Sequence, residues 1–295
     1  MKIAITGATG FIGRHLVRKL TTEKFDLRIL AQDNAEFLKR EMSSLKIVKG
    51  DLLKKETLND LVRDADLVIH LVGTFFPPFG SLVRSNVIAT ANLLEACSQN
   101  KVKKIIYASS GTVYGPSKNR PSKETDELHP KGFYALTKKI GEDLLKYYDD
   151  NFGIKYVILR FSDIYGPENN KGVVYNFLNS IKKENKITIY GDGEQARNFI
   201  FVSDVIESIL QVLRKCNFKK SEIFNISNNE LTTVNELAGT IEKILRRKTE
   251  VICKPHRNDS IQIIWEDIKK AEKKLNYQPK VSLKKGIKIT IKSFL

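Results

Sequence analysis

Lys2-Ile3-Ala4-Ile5-Thr6-Gly7-Ala8-Thr9-Gly10-Phe11-Ile12-Gly13-Arg14 opens the chain directly after Met1. Lys2–Thr6 reads as a short buried strand, and the amphipathic run Arg14–Leu20 reads as a helix. Between them stand three glycines. Gly7 permits a tight turn, Gly10 lets a pyrophosphate approach the backbone, and Gly13 lets helix and strand pack closely. The spacing is G-x-x-G-x-x-G, not the commoner G-x-G-x-x-G. Strand, glycine turn and helix in that order predict dinucleotide binding, because a helix N-terminus offers free amides and a favourable dipole to phosphate.

The alternation continues outward from this unit. Further strands are predicted at Leu27–Leu30, Leu45–Lys49, Leu67–Leu71, Lys104–Ser109 and Lys155–Arg160, with helical patterns between them such as Val87–Cys97 and Leu136–Tyr148. Strands alternating with helices imply a parallel sheet covered on both faces, and six such units fit a doubly wound sheet. After Arg160, turn signals crowd at Tyr165–Asn170 and Gly191-Asp192-Gly193. Helical patterns at Val173–Lys183, Val205–Lys215 and Val234–Leu245 follow, with a strand at Ile223–Ile226. The expected class is α/β: a doubly wound parallel sheet with a smaller C-terminal α+β lobe on the carboxyl ends of its strands. The division is placed at 1–162 (dinucleotide-binding) and 163–295 (substrate-binding), with interleaving of elements allowed. No internal repeats occur.

Composition narrows the class. The chain has 295 residues, 41% hydrophobic and 28% charged, as in an ordinary globular protein. It holds no apolar run long enough to span a membrane, and the strand beginning at Lys2 leaves no room for a signal peptide. Cys97, Cys216 and Cys253 are scattered, which argues against disulfides and a structural zinc site; no metal is expected, and the expected compartment is the cytoplasm. The net charge of +16 comes from lysines spread along the whole chain. That pattern predicts no specific nucleic-acid binding and suits an anionic small molecule.

Two further segments carry chemistry. Tyr134-Ala135-Leu136-Thr137-Lys138 puts a phenol and an ammonium four residues apart on one helical face. A nearby ammonium favours phenolate, so Tyr134 is expected to exchange a proton with a substrate hydroxyl, while Lys138 also holds a nicotinamide ribose. Ser110, at the end of the predicted fifth strand in Ser109-Ser110-Gly111-Thr112, is placed to orient the same substrate oxygen. His70 sits inside an apolar strand and is read as a core residue.

The expected cofactor contacts are Gly7, Gly10, Phe11, Ile12, Gly13, Arg14, Ala31, Gln32, Asp51, Leu52, Leu71, Gly73 and Lys138. Ala31 stands at the end of the second strand, where an acid would chelate the ribose hydroxyls of NAD; Asp33 lies two residues on. Arg14 could meet a 2′-phosphate. NADP is therefore expected to bind at least as well as NAD. Asp51 either accepts from the adenine amine or caps a turn.

These motifs resemble the extended short-chain dehydrogenase/reductases, in particular the NAD-dependent epimerase/dehydratase group. The resemblance runs nearly end to end, through Thr6–Gly13, Asp66–Leu71, Asn86–Ala96, Tyr107–Gly115, Tyr134–Glu142, Leu159–Pro167, Ile189–Asp204, Phe224–Ile226 and Asp267–Leu275. It implies a Rossmann-type domain, a catalytic set of Ser110, Tyr134 and Lys138, and a homodimer joined through helices at 86–99 and 134–150. Arg197, and near it in role Arg257, are implied as contacts to a substrate diphosphate; Thr112 and Asp163 join Ser110 and Tyr134 in the substrate site. Three departures stand out. Gly111 and Thr112 replace the acids of nucleotide-sugar dehydratases, Ala31 replaces the usual acid, and Asp163 replaces an asparagine. The resulting expectation is a nucleotide-sugar 4-epimerase acting through a 4-keto intermediate on a nucleotide-diphosphate sugar. An NADPH-dependent 4-keto-sugar (or other carbonyl) reductase is the second reading, and a non-catalytic nicotinamide- or RNA-binding protein of the same fold is the third.

Overall fold

The structure is a computed structural model and describes every residue except 24, 33–34, 42–44, 76, 257–261 and 295, together with the side chains of 36, 39 and 41. In chain order the strands are β1 (Lys2–Thr6), β2 (Asp26–Ala31), β3 (Lys46–Lys49), β4 (Leu67–His70), β5 (Lys104–Ser110), β6 (Lys155–Phe161), β7 (Asp163–Tyr165), β8 (Lys186–Tyr190), β9 (Ala196–Phe201), β10 (Glu222–Ile226), β11 (Leu231–Thr233), β12 (Glu250–Lys254) and β13 (Ile263–Ile264). Seven of them form one parallel sheet in the order β10-β6-β5-β4-β1-β2-β3. Its strands are apolar on both faces, as a sheet covered on both sides requires; Ile3, Ala4 and Ile5 of β1 are all buried.

One face packs on the helices Phe11–Thr22, Val202–Lys215 and Lys269–Leu275, through Leu16, Val17, Val205, Ile209 and Ala271. The other packs on Lys55–Val62, on the long helical stretch Phe79–Gln99 and on Phe133–Phe152. Strand order reverses between β1 and β4, and the crevice outside the carboxyl ends there is where open α/β sheets bind ligands.

The predicted strands from Lys2 to Arg160 are found, each within a residue at either end. One element lies elsewhere than expected. The strand at Ile223–Ile226, assigned from sequence to the smaller lobe, is β10 and pairs in parallel with β6 as the seventh strand of the main sheet. The main sheet thus draws strand β10 and the helices 202–215 and 269–275 from beyond residue 163. The connection is a long crossover, whose partner strand no local pattern reveals.

The remaining strands build the second layer. β11, β9 and β13 pair side by side with β7 on β9, and β8 pairs with β12. Their core comprises Phe177, Leu178, Ile181, Phe199, Leu237, Ile241 and Ile287. This layer roofs the carboxyl ends of β1, β4 and β5.

Candidate active site

The glycine turn forms as its sequence dictates. Gly7 has φ of 76°, in the left-handed region open to glycine, and Gly10 N–H donates to Gly7 O at 3.0 Å. A Cβ on Gly13 would lie 2.1 Å from Gly7 O and 2.6 Å from Ala8 Cα, so helix and strand meet only because that atom is missing. The helix starting at Phe11 has Gly10 as its cap and no side-chain capping bond, which leaves its first amides pointing at the crevice.

A cavity of about 620 Å³ runs from this turn to the ends of β5 and β6. It brings together Gly7, Gly10, Phe11, Ile12, Gly13, Arg14, Leu71, Gly73, Ser110, Thr112, Tyr134, Lys138 and Asp163 of the residues singled out from sequence. Five others lie outside its wall, Arg197 in a smaller pocket beside it and the other four away from it. Ala31 ends β2 and is buried; Gln32 Nε2 donates to Asp51 Oδ2 at 2.8 Å; Asp51 Oδ1 accepts from Leu53 N–H at 2.9 Å, capping the next turn; Leu52 is packed in the core. Arg257 and Asp33 lie outside the described residues.

Ser110 Oγ accepts from Thr112 N–H at 3.3 Å and from Thr112 Oγ1 at 3.0 Å, so its own proton is left to donate onward. Tyr134 is half-buried beside it. Burial pushes the phenol up to about 12, with a hydrogen bond from Ser110 acting the other way. Lys138 is buried, its Nζ donating to Ala108 O at 2.7 Å and to Val72 O at 3.4 Å. Burial holds its ammonium down at about 8, against the attraction of Glu142. The expected lowering of the phenol by Lys138 is therefore corrected: the ammonium is turned to two carbonyls, and desolvation dominates at Tyr134.

The segment supporting this wall is also tied down. The helical stretch Phe79–Gln99 contains a π-helical turn, Val83–Ile88, which carries the buried Asn86. Asn86 Oδ1 accepts from Thr74 N–H at 2.9 Å, and its Nδ2 donates to Thr74 O at 2.8 Å and Thr137 Oγ1 at 2.9 Å. This locks the loop after β4 to the helix bearing Tyr134 and Lys138. Phe75 meets Tyr134 edge-on at 6.1 Å. His70 is a core residue as read from sequence: its ring bonds Thr6 Oγ1 at 2.6 Å and Thr90 Oγ1 at 3.0 Å, and burial drops it to about 3.

Arg14 is drawn to another partner than a nucleotide phosphate. Its guanidinium meets the Glu168 carboxylate at 3.3 Å and Glu168 O at 3.3 Å, and it lies over the Phe37 ring. Arg18 binds the same carboxylate. Arg197 likewise faces inward, lining a second, much smaller pocket with Ser110, Thr112, Asp163 and Glu266, while its Nη1 donates to Ala196 O at 2.7 Å and Gln262 O at 3.0 Å. Burial raises the Asp163 carboxyl and Arg197 lowers it, so the guanidinium offsets the carboxylate that replaces the usual amide.

Sequence reasoning missed Glu266, Glu142, Arg160 and Asn86. Only Arg160 left a trace, as a charge inside the apolar run 157–161, and that trace names no partner.

Comparison with known proteins agrees with this architecture. The NAD dependent epimerase/dehydratase family matches residues 3–227. A putative UDP-glucose 4-epimerase of Methanocaldococcus jannaschii is 34% identical over 300 residues, covering 97% of this chain and 96% of its own. The UDP-glucuronic acid 4-epimerase of Bacillus cereus, solved with UDP-glucuronic acid and NAD, superposes with a TM-score of 0.93 at 29% identity, over 100% of this chain and 99% of that one. The UDP-glucose 4-epimerase of Thermotoga maritima, solved with UDP-glucose, gives 0.91 at 30% identity over 100% and 98%. The chain belongs to the NAD dependent epimerase/dehydratase family.

Proposed function

We propose that this family member is a nucleotide-sugar 4-epimerase, acting on a UDP-linked sugar with NAD as cofactor. The observation carrying the reading is the convergence of Ser110, Tyr134 and Lys138 on the cavity that ends at the glycine turn. The relatives that share the fold bind UDP-sugars and NAD, which supports the same pair of ligands here.

The site fits a dinucleotide. Its volume lies in the range of small-molecule sites, and its far end is the uncapped helix start over Gly7–Gly13. The turn would hold the diphosphate, and Lys138 the nicotinamide ribose. When bound, the nicotinamide supplies reversible hydride transfer at C4 of the sugar.

The protein's own work is proton handling and positioning. The base is the phenolate of Tyr134, which the positive ring of an oxidised nicotinamide would favour when bound; its Oη takes the proton of the 4-hydroxyl as the 4-keto sugar forms and returns it to the opposite epimer. Ser110, whose oxygen is already occupied by Thr112 donors, gives its proton to the same substrate oxygen. The expectation that NADP binds at least as well as NAD is given up in favour of NAD, because Arg14, the residue that would meet a 2′-phosphate, is paired with Glu168, and the similar Bacillus cereus enzyme was solved with NAD.

Residues 163–295 act as the substrate lobe in this reading, although they lend β10 and two helices to the main sheet. The expected homodimer through the helical segments 86–99 and 134–150 is retained, since Ile88, Leu136 and Tyr147 within them are exposed.

The test is incubation of the purified protein with UDP-glucose or UDP-galactose, with products separated by chromatography. Approach to the same epimer mixture from either side, with no net consumption of nicotinamide, is expected. Failure with every UDP-sugar, together with NADPH-dependent reduction of a 4-keto sugar, would replace the epimerase by a reductase.

A further inference from the structure

Glu266 follows β13 and runs beneath the end of β5. It is 2% exposed, and neither carboxyl oxygen has a well-formed hydrogen bond; its own backbone and the Ser227 hydroxyl act on it only weakly. Its Oε1 occupies the space beside Gly111, where a Cβ would lie 1.8 Å away, so glycine at that position is what admits the side chain. A buried carboxyl without well-formed hydrogen bonds is costly, and a purely structural one is normally satisfied, as Glu142 is in the same protein by Arg160 and Ser109.

The small pocket that Glu266 closes has about 10 Å³, room for one oxygen. Ser110, Thr112 and Asp163 line both this pocket and the main cavity. The two spaces are therefore adjoining parts of one site. When the 4-oxygen of a sugar is held by Tyr134 and Ser110, the substituents of its neighbouring carbons lie within a few bonds of Ser110, and this adjoining corner is a space open to one of them. On one of those carbons, C5, a hexose carries a hydroxymethyl group and a uronate carries a carboxylate.

Resting on the nucleotide-sugar reading above, we propose that Glu266 and Asp163 make the enzyme selective for neutral hexoses and against uronates, by ending the sugar site in a one-oxygen acidic corner. A hydroxymethyl oxygen fills the volume and donates its proton to a carboxyl oxygen of Glu266 that lacks a well-formed hydrogen bond. A carboxylate brings two oxygens where there is room for one, no donor, and a charge into a desolvated corner in which Arg197 is the one guanidinium among the described residues. That guanidinium, Arg197, already donates to two backbone carbonyls. The corner resists charge even without a ligand: burial, and then Asp163, raise Glu266 to about 8 despite Arg197.

The experiment compares kcat/KM for UDP-glucose and UDP-glucuronate in wild type, Glu266→Ala and Glu266→Gln, with thermal melts to verify folding and calorimetry to measure binding. Wild type is expected to favour UDP-glucose by about a hundredfold or more. Glu266→Ala, which removes the volume limit and the buried acid, should shrink that ratio at least tenfold by gaining activity on the uronate, with Glu266→Gln, which keeps the volume, closer to wild type. Equal use of both sugars by wild type, or an unchanged ratio in a folded Glu266→Ala, overturns the selectivity while leaving the epimerase reading intact. If neither UDP-sugar binds nor reacts, the functional reading itself fails and this inference fails with it.

Discussion

Arg160 grips Glu142 through two guanidinium nitrogens, Nη2 at 2.6 Å from Oε2 and Nε at 3.0 Å from Oε1, with both side chains almost wholly buried. Ser109 Oγ donates to Glu142 Oε1 at 2.6 Å, Arg160 Nη1 donates to Tyr114 Oη at 2.7 Å, and Tyr114 Oη donates to Asn225 Oδ1 at 2.7 Å. The network joins β5, β6, β10 and the helix carrying Tyr134 and Lys138. It lies directly behind Ser110 and fixes the strand end relative to that helix, so the geometry of the site depends on it.

Glu142→Ala should therefore cost more than an ordinary substitution. It leaves the Arg160 guanidinium buried and without its anion, which carries a penalty of about 3–5 kcal/mol. Urea unfolding at pH 7 measures it. A loss below about 1 kcal/mol would mean that water reaches Arg160 and that the network does not hold the strand end.

Tyr134→Phe should lower turnover by about a hundredfold or more, the usual contribution of a positioned acid/base. The ring keeps its edge contact with Phe75, so the melting temperature should hold. Wild-type turnover in the variant would remove Tyr134 from the reaction.

The contrast between these two residues shows which parts of the structure were legible in the sequence. Tyr134, Lys138 and the turn from Gly7 to Gly13 are local patterns, where spacing alone puts groups on one face or forces a backbone shape. The strands through Arg160 were equally readable because each is a short apolar run with a helix after it. Glu142 and Arg160 were not, since a charge buried with its partner looks in sequence like a charge in water. β10 was misplaced for a related reason: an apolar strand names no neighbour, and its partner β6 lies some sixty residues away. Glu266 combines both difficulties, being an acid in a short apolar segment whose role appears only when it arrives beneath Gly111.

Lys138 gives a prediction with a definite pH window. Its folded pKa is depressed to about 8 from an ordinary value of 10.5, so between those values the unfolded chain binds the proton more tightly. The buried ammonium thus costs stability at and below pH 8, and the cost disappears as pH rises to about 10.5. Lys138→Met also loses the contacts to Ala108 O and Val72 O, but that loss does not depend on pH. Relative to wild type, the variant should be most favoured below pH 8 and lose about 2–3 kcal/mol of that advantage by pH 10.5. A stability difference that is flat over this range would show that the ammonium is hydrated.

Cofactor choice supplies the last test. Arg14 lines the cavity at the helix start, but Glu168 holds it from the loop after β7, and Arg18 shares that carboxylate. Glu168 has φ of 65°, a left-handed conformation unusual for a side-chain-bearing residue, and the two arginines help to keep it there. Wild type is expected to bind NAD more tightly than NADP, because a 2′-phosphate would have to compete with Glu168 for Arg14. Glu168→Gln removes that competitor while preserving shape. It should tighten NADP by about three- to tenfold, the effect of roughly 0.7–1.4 kcal/mol, with NAD affinity little changed. Adding Arg14→Ala to the variant should abolish the gain. Titration calorimetry with both dinucleotides decides the matter: NADP binding as tight as NAD in wild type, or no response to Glu168→Gln, would mean that the 2′-position is read by residues other than Arg14.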